Sequence, residues 1–482
     1  MSIPAMKPLF MTDAYKLGHI QQYALAGKVT RVYSNFTHRG SRIPGTHKVV
    51  HFGLQAVIER YLMEEWEPFF NANENLVCAA YEDRVARILG PNTIGSSHIR
   101  ELHALGYLPL RICGVPEGSF VPLRIPSWTI ENTDPKFAWL TNYVETVLSA
   151  AYWLAATSAT TAWTYRKALK NALELSNGDP GMLAYQGHDF SFRGMSSPEA
   201  AATSGAAHLL VFDGSDSLCA IDWVERYYGP LAEIVSVPAT EHSVMCCVSA
   251  TRGEESAFAG LLALYPTGVL SIVSDTFDLW QVLTRFLPDL RESVLGRDGK
   301  LVIRPDSGDP EKILCGDPNA TGPAQRGVVG LLWDTFGGTE HGGYKRLDPH
   351  VGVIYGDSIT LERAETITEN LRKQGFASTN VVFGIGSFTY QYVTRDTHGS
   401  AIKATWAEVD GVGVNLRKTP VTDNGLKFSA TGRLAVTDNW ELIERASPEQ
   451  EAKSLLQPVW EDGEFISCES FDTIRNRVRS SE

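Results

Sequence analysis

The sequence predicts an α/β fold whose centre is a closed or nearly closed βα (TIM-like) barrel. Three observations predict it. Short apolar, β-branched runs end again and again in a charged residue or a glycine; helix-like or looped segments separate them; and the runs have the continuous apolar character of strands buried on both faces of a parallel sheet. The runs are "LLVFDGSD" to Asp216, "IVSVPATEH" to His242, "VLSIVSD" to Asp275, "LVIRPD" to Asp306, "VGVIYGD" to Asp357 and "NVVFGIGS" to Ser387. "LAYQGHDFSFRG", ending near Arg193, joins them less cleanly.

In chain order, residues 1–138 mix helix-like stretches such as "FGLQAVIERYL" with short strands, including "LRICGVPEGSFVPLRIPSWTIENTDP", which reads as a meander broken by prolines and glycines. This region is expected to be an α+β domain. From Trp139 to Leu175 the chain is rich in Ala and Leu without Gly or Pro, and one or two buried helices are expected there. These helices lead into the barrel, so that 139–395 forms the second domain. Residues 396–482 return to shorter strands and polar loops and are expected to pack back on the first domain.

The 482 residues are 43% hydrophobic and 21% charged, enough to bury a large core and more than one ordinary domain. A net charge of −13 disfavours non-specific binding to nucleic acid or an anionic membrane, so a polyanionic ligand must meet local basic groups. The N-terminal "MSIPAMKPLFMTDAYK" carries no charged leader with a long apolar stretch, and a cytoplasmic protein is expected. Seven scattered cysteines without a CxxC pair argue against a disulfide framework or a zinc site; reduced, mostly packed thiols are expected.

In such a barrel the strands' C-terminal ends form the active-site rim. Collected there are Arg193 and Arg304, Asp216, Asp275, Asp306 and Asp357, His242, and the glycine turns at Gly356, Gly384 and Gly386. Arginines grip phosphate oxygens in a bidentate fork, and glycine turns let backbone N–H groups approach phosphate. Aspartates suit ribose hydroxyls or magnesium. The composition describes a site for a phosphorylated sugar or nucleotide. In "GMSSPEAAATSGAAHLL", Ser196 or Ser197 reads as a helix N-cap, with Pro198 in the first turn and Glu199 completing a capping box with Ser196. Each motif alone also fits an ordinary turn or a capped surface helix.

"HDFSFRGMSS", "SVPATEHS", "SDTFDLW", "IRPDSGDP", "YGD" and "TRD", with "TDAYK" near the start and "ENTDPKFAWLTNYVET" before the helices, together resemble the nicotinamide phosphoribosyltransferases, in that family's order over nearly the whole chain. The resemblance implies transfer of ribose 5-phosphate from phosphoribosyl pyrophosphate to the ring nitrogen of nicotinamide. It also implies an irregular barrel, an α+β domain built from both chain ends, and a homodimer with shared active sites. Phe190 matches the aromatic that stacks on one face of the pyridine ring, and Tyr15 the one reaching its other face from a partner subunit. Arg193, His242 and Arg304 match contacts on the pyrophosphate side, and Asp306 a ribose contact. Gly356 and Asp357 flank the sugar, while Gly386, Ser387 and Arg395 match the 5-phosphate end. Asp13, Arg39, Lys403, Lys418 and Lys427 fall at family positions near the phosphates or the interface.

Asp216 is the expected specificity residue, accepting from a carboxamide and repelling the carboxylate of nicotinate. His242 matches the histidine that ATP phosphorylates, with Asp275 as the expected carboxylate partner; Mg2+ is expected with the pyrophosphate. Where well-known members carry a run of glycines this chain has "GIGSFTY", placing Ser387 and Phe388 beside the phosphate. "HRGSRIPGTHKVV" is shorter than its animal counterparts. A nicotinate-using relative and a catalytically idle nucleotide-binding relative are the alternatives.

Overall fold

Six strands from the middle of the chain form one parallel sheet: β1 (Gly187–Asp189), β2 (Gly214–Ser215), β3 (Thr267–Val273), β4 (Asp298–Arg304), β5 (Val351–Tyr355) and β6 (Val381–Ile385), in the order β2-β1-β6-β5-β4-β3. This computed structural model describes residues 4–230, 234–420, 422 and 429–481. β5 is buried at every position, as a strand covered on both faces must be. Between β1 and β2 runs α1 (Pro198–Leu209), His242 begins α2 (His242–Arg252), and α3 (Leu361–Lys373) joins β5 to β6. α3 shows why such crossovers form: Thr360 caps its start by accepting from Arg363 N, and Ala364, Ile367, Thr368 and Leu371 make one buried stripe at helical spacing. The result is a mixed α/β fold with a parallel half-barrel sheet.

Three local expectations are corrected. "LLVF" is not a strand: Leu209 ends α1, Leu210 to Phe212 turn away fully buried, and the strand is confined to Gly214–Ser215. A short apolar run buried on all sides carries no periodicity that separates strand from helix end. "IVSVPATEH" forms only isolated parallel bridges, Val235 to Gly214 and Ala239 to Ser271, because Pro238 between them has no N–H to donate. The N-cap of α1 is Ser197, accepting from Ala200 N, so the capping box of Ser196 with Glu199 does not form.

The chain divides into two compact units, one of Met1–Thr160, Val224–Pro230 and Val393–Ser481, the other of Thr161–Trp223 and Leu231–Tyr392. The first is built on a seven-stranded sheet of antiparallel pairs. Its strand Val29–His38 lies between Ser400–Val409 and Pro126–Asn132, so both chain ends are needed to make it. The expected meander is rearranged, since its middle strand, Phe120–Pro122, leaves to pair with Lys48–Val50. Phe36 stacks on Trp128 at 5.1 Å and meets Tyr152 edge-on at 4.6 Å in the core. Arg433 ties the C-terminal segment to this sheet, donating to both oxygens of Glu131 at 2.9 Å and to Glu451 at 2.7 Å, with its guanidinium over Tyr33. Residues 139–175 form the helices Leu140–Tyr143 and Glu145–Leu175.

All seven cysteines are free; Cys78 and Cys315 are buried, but Cys246, Cys247 and Cys468 are exposed rather than packed. Among the described residues no helix is long and apolar enough to cross a membrane.

The first unit buries neutral histidines. Burial pushes His51 down to about 3 and His98 and His398 down to about 4, and holds His38 well below the ordinary imidazole value. Unfolded histidine takes its proton near pH 6.5, so these rings contribute stability that is complete above about pH 6.5 and lost as the pH falls toward 4. Glu117 works the other way: burial pushes its carboxyl up to about 7 against hydrogen bonds from Gly53 N, Gln55 N and Tyr228 Oη, offsetting one proton. The unfolding free energy should therefore fall between about pH 6.5 and 4.5, by up to about 1.4 kcal/mol per pH unit for each histidine, and the thermal midpoint with it. In the same scans His98→Gln should flatten the fall; an unchanged slope would count against the buried-imidazole account.

Candidate active site

Because all six strands run the same way, whatever follows each strand lands on one edge of the sheet. Asp189, at the end of β1, knits that edge together: its carboxylate accepts from Ser191 N at 2.9 Å and Ser215 Oγ at 3.3 Å, and its carbonyl accepts from Asp216 N at 3.1 Å. Phe190 N donates to Ile385 O of β6 at 3.0 Å, which fixes where the Phe190 ring starts. The ring then lies against the backbone of two neighbouring strand ends. A Cβ at Gly384 would stand 2.3 Å from Phe190 Cδ2, and one at Gly356 would stand 2.8 Å from the same atom. Both glycines are explained by this close approach.

Asp216 Oδ1 accepts two hydrogen bonds, from His188 Nε2 at 2.9 Å and Ser236 Oγ at 2.6 Å. Burial alone would push its carboxyl up, but His188, Ser236 and the charge of Arg304 outweigh this and hold it below the usual carboxylate range. The imidazole of His188 also tilts against the Phe190 ring at 5.0 Å. Sequence reasoning missed His188 and Ser236; a histidine inside "GHDF" gives no local sign of a carboxylate 28 residues on.

His242, the first residue of α2, directs Nε2 between two carboxylates, 3.9 Å from Asp275 Oδ1 and 3.8 Å from Asp306 Oδ2. Its ring meets Thr276 Oγ1 through Nδ1 at 3.2 Å, and Asp275 stands beside Nε2 at ion-pair distance. Asp275 Oδ2 accepts from Asp306 N at 2.8 Å, whereas Oδ1 is buried with no hydrogen-bond partner among the described residues. Arg304 Nη2 donates to Thr240 O at 2.7 Å, while its Nε is buried without a hydrogen-bond partner among the described residues. Arg304 and Asp306 are therefore each tied to the segment beside them rather than to one another. Tyr355, whose hydroxyl donates to Gly308 O, has its acidity suppressed by burial and then by Asp357, Asp275, Asp306 and Asp309, a measure of how many carboxylates share this edge.

Ser387 follows Gly386 at the start of the short helix Ser387–Tyr390. It packs on Gly194, where a Cβ would clash with its side chain. Phe388 turns outward and stacks on Tyr392 at 5.1 Å with ring planes 12° apart, so the aromatic does not fill the place behind Gly386. Arg193 is exposed, in the turn Phe192–Gly194, and makes no hydrogen bond or ion pair among the described residues. Asp357 is exposed as well, just before Ser358, which takes a left-handed φ of 49° held by Arg363 Nη1 donating to its carbonyl.

The remaining predicted residues belong to the first unit. Asp13 accepts from Thr146 Oγ1 at 2.8 Å, and Tyr15 is 64% exposed. Burial depresses the Lys403 ammonium, the carboxylate of Glu145 raises it in part, and the charges of Arg39, Lys418 and Arg395 depress it further, so these four cations share one field with that carboxylate. Lys427 lies outside the described residues.

Among the described residues no three His, Cys, Asp or Glu side chains are placed to hold a metal ion between them. Oδ1 of Asp275, which accepts no hydrogen bond among the described residues, and the Asp306 carboxylate beside it suit a hard cation that arrives with phosphate oxygens.

If the Phe190 ring is seated on glycine backbone, Gly356→Ala should destabilise the protein by about 1–3 kcal/mol through overpacking. That cost should shrink in a Phe190→Ala background when both are measured by denaturant unfolding; strictly additive effects would refute the contact.

Comparison with known proteins places this site in a lineage. The model of the family described as "Nicotinate phosphoribosyltransferase (NAPRTase) family" matches residues 185–464. A nicotinamide phosphoribosyltransferase of Acinetobacter baylyi is 48% identical over 98% of this chain and 97% of its own length. One of Mycoplasma pneumoniae is 35% identical over 91% of this chain and 97% of its own. Among solved structures, nicotinate-nucleotide pyrophosphorylase from Pyrococcus furiosus has a TM-score of 0.61 over 100% of this chain and 96% of that one, at 15% identity. Human nicotinic acid phosphoribosyltransferase has a TM-score of 0.55 over 98% and 93%, at 16% identity. The two structures share the fold, and the near full-length relatives with the family match decide the rest: this chain belongs to the nicotinate phosphoribosyltransferase family.

Proposed function

We propose that this chain is a nicotinamide phosphoribosyltransferase, moving the 5-phosphoribosyl group from phosphoribosyl pyrophosphate to the ring nitrogen of nicotinamide. The observation that carries the reading is Asp216 beside Phe190 at the sheet edge, in a chain 48% identical to a nicotinamide phosphoribosyltransferase. The half-buried Phe190 ring stacks the pyridine, worth about 0.5–1.5 kcal/mol beyond area burial. Asp216 Oδ2, outside both hydrogen bonds on Oδ1, accepts from the carboxamide N–H. A nicotinate carboxylate at about 4 Å would meet a like charge costing about 4 kcal/mol at an effective dielectric near 20.

In the transfer, the ring nitrogen's lone pair forms the new bond to the ribose C1 while the C1–O bond breaks and its electrons leave with pyrophosphate. No proton moves. Arg304 supplies a cation to the departing phosphates, Arg193 adds a second, exposed one, and Asp306 holds the ribose hydroxyls beside Gly356 and Asp357. Gly386 and Ser387 receive the 5-phosphate. Asp275 and Asp306 would hold Mg2+, which supplies positive charge to the leaving pyrophosphate when bound. Catalysis is then positioning plus stabilisation of departing charge.

The reading includes a phosphoenzyme. With the Nδ1 proton donated to Thr276, the Nε2 lone pair of His242 can attack the γ-phosphorus of ATP, breaking its bond to the bridging oxygen and releasing ADP. It also includes a cytoplasmic homodimer in which Tyr15 and Arg395 of a second copy complete the site. The half-barrel is read as a closed TIM-like barrel, supported by the bridges of Val235 and Ala239 to its two edge strands.

Purified protein given phosphoribosyl pyrophosphate, magnesium and either ring should form mononucleotide from nicotinamide in preference to nicotinate. Asp216→Asn should lower the amide-to-acid ratio of kcat/KM at least about tenfold; an unchanged ratio removes its role, and product from nicotinate alone reverses the assignment. ATP should stimulate the wild type and leave γ-phosphate label on it. Label persisting on His242→Ala, or stimulation of that variant, would defeat the phosphohistidine.

A further inference from the structure

We propose that His188 is a positioning residue for substituent recognition: by holding Asp216 Oδ1 from Nε2 it leaves Oδ2 alone to face the ring substituent. The inference rests on the nicotinamide reading above and adds a residue to it. Asp216 is half-exposed at a loop, and a carboxylate there is free to turn about two side-chain bonds. Two fixed donors stop it. His188 Nε2 and Ser236 Oγ converge on the same oxygen, Oδ1, from different parts of the chain: His188 from the middle of β1 and Ser236 from the segment that bridges the edge strands. The charge of Arg304 is near enough to act on Asp216 as well. A released Asp216 would swing toward that guanidinium, and the group that reads the ring would become tied to the group that grips the phosphates.

The imidazole is itself held on both sides. Gly214, its neighbour in the parallel pairing of β1 with β2, has no side chain, and a Cβ there would stand 2.5 Å from His188 Nδ1. On the other side the ring rests on Phe190 at 5.0 Å with planes 59° apart. One side chain thus touches both the aromatic that stacks the pyridine and the carboxylate that reads its substituent. A carboxylate is only an acceptor, so Nε2 must carry the proton in this contact, and a side-chain amide reaching the same point can replace it.

The test is a series of wild type, His188→Ala, His188→Gln, Asp216→Asn and the double variant His188→Ala/Asp216→Asn. Each is assayed for kcat and KM with nicotinamide and with nicotinate, and for equilibrium binding of each ring by calorimetry. His188→Ala should raise KM and the binding constant for nicotinamide about tenfold or more, the worth of a charge-assisted hydrogen bond, with the smaller change in kcat. The amide-to-acid preference should fall with it, and His188→Gln should restore most of both. In the Asp216→Asn background the alanine change should have little further effect on preference, because its route runs through Asp216. An unchanged preference in His188→Ala, failure of glutamine to rescue, or additive effects in the double variant would overturn the inference while leaving an active wild type and the functional reading intact. A wild type that binds neither ring and forms no mononucleotide would overturn the functional reading and this inference with it.

Discussion

A Cβ on Gly384 would stand 2.3 Å from the Phe190 ring, and one on Gly356 only 2.8 Å, so the ring rests on bare backbone at the ends of β5 and β6. This constraint orders the rest of the edge. Phe190 is anchored by its own N–H to Ile385, its ring fills the notch left by the glycines, and the His188 ring leans on it from β1. The Asp216 carboxylate is then oriented from His188. Remove the notch and the aromatic, the imidazole and the carboxylate lose their common reference.

The second constraint is electrostatic. A chain of net charge −13 gathers Asp275, Asp306, Asp309 and Asp357 at the edge proposed to receive a polyphosphate. Carboxylates facing phosphates would be unfavourable unless they served the sugar and a cation, and their arrangement suits that division. Asp275 Oδ2 accepts from the Asp306 backbone and its Oδ1 accepts no hydrogen bond among the described residues, while Arg304 is held clear of Asp306 by Thr240 O. Arg304 is held by a backbone carbonyl, not by a carboxylate that would neutralise its charge. In the other unit the complementary charges gather: burial depresses the Lys403 ammonium, and the three cations Arg39, Lys418 and Arg395 depress it further against Glu145.

The central strands were legible because β3 to β6 are apolar runs followed at once by a polar residue or a glycine, and strand ends are where a parallel sheet places ligand-facing groups. "LLVF" and "IVSVPATEH" were misread for opposite reasons. The first is apolar enough for a strand but completes a helix, and the second is β-branched enough for a strand but carries Pro238. The predicted residues Phe190, Asp216, His242, Asp275, Arg304, Asp306, Gly356 and Ser387 all fall at or just beyond strand ends, or at the start of α2. The companions that orient them, His188, Ser236, Thr240 and Thr276, are short polar residues of a kind that recurs throughout the chain, and nothing in their immediate neighbours marks them.

By itself the sequence determined which side chains are present, the alternation of buried strands with crossovers, and, through motifs in family order, the lineage and the chemistry proposed for it. Those are properties of local composition and of order along the chain. Tertiary structure alone decided that Asp216 is engaged through one oxygen, that Thr276 meets Nδ1 of His242 while Asp275 and Asp306 flank its Nε2, that Phe388 turns out onto Tyr392, and that the middle strand of the expected meander pairs elsewhere. Each of these depends on a distance between residues from different strands or loops, or on a rotamer chosen by packing, and no pattern along the chain encodes either.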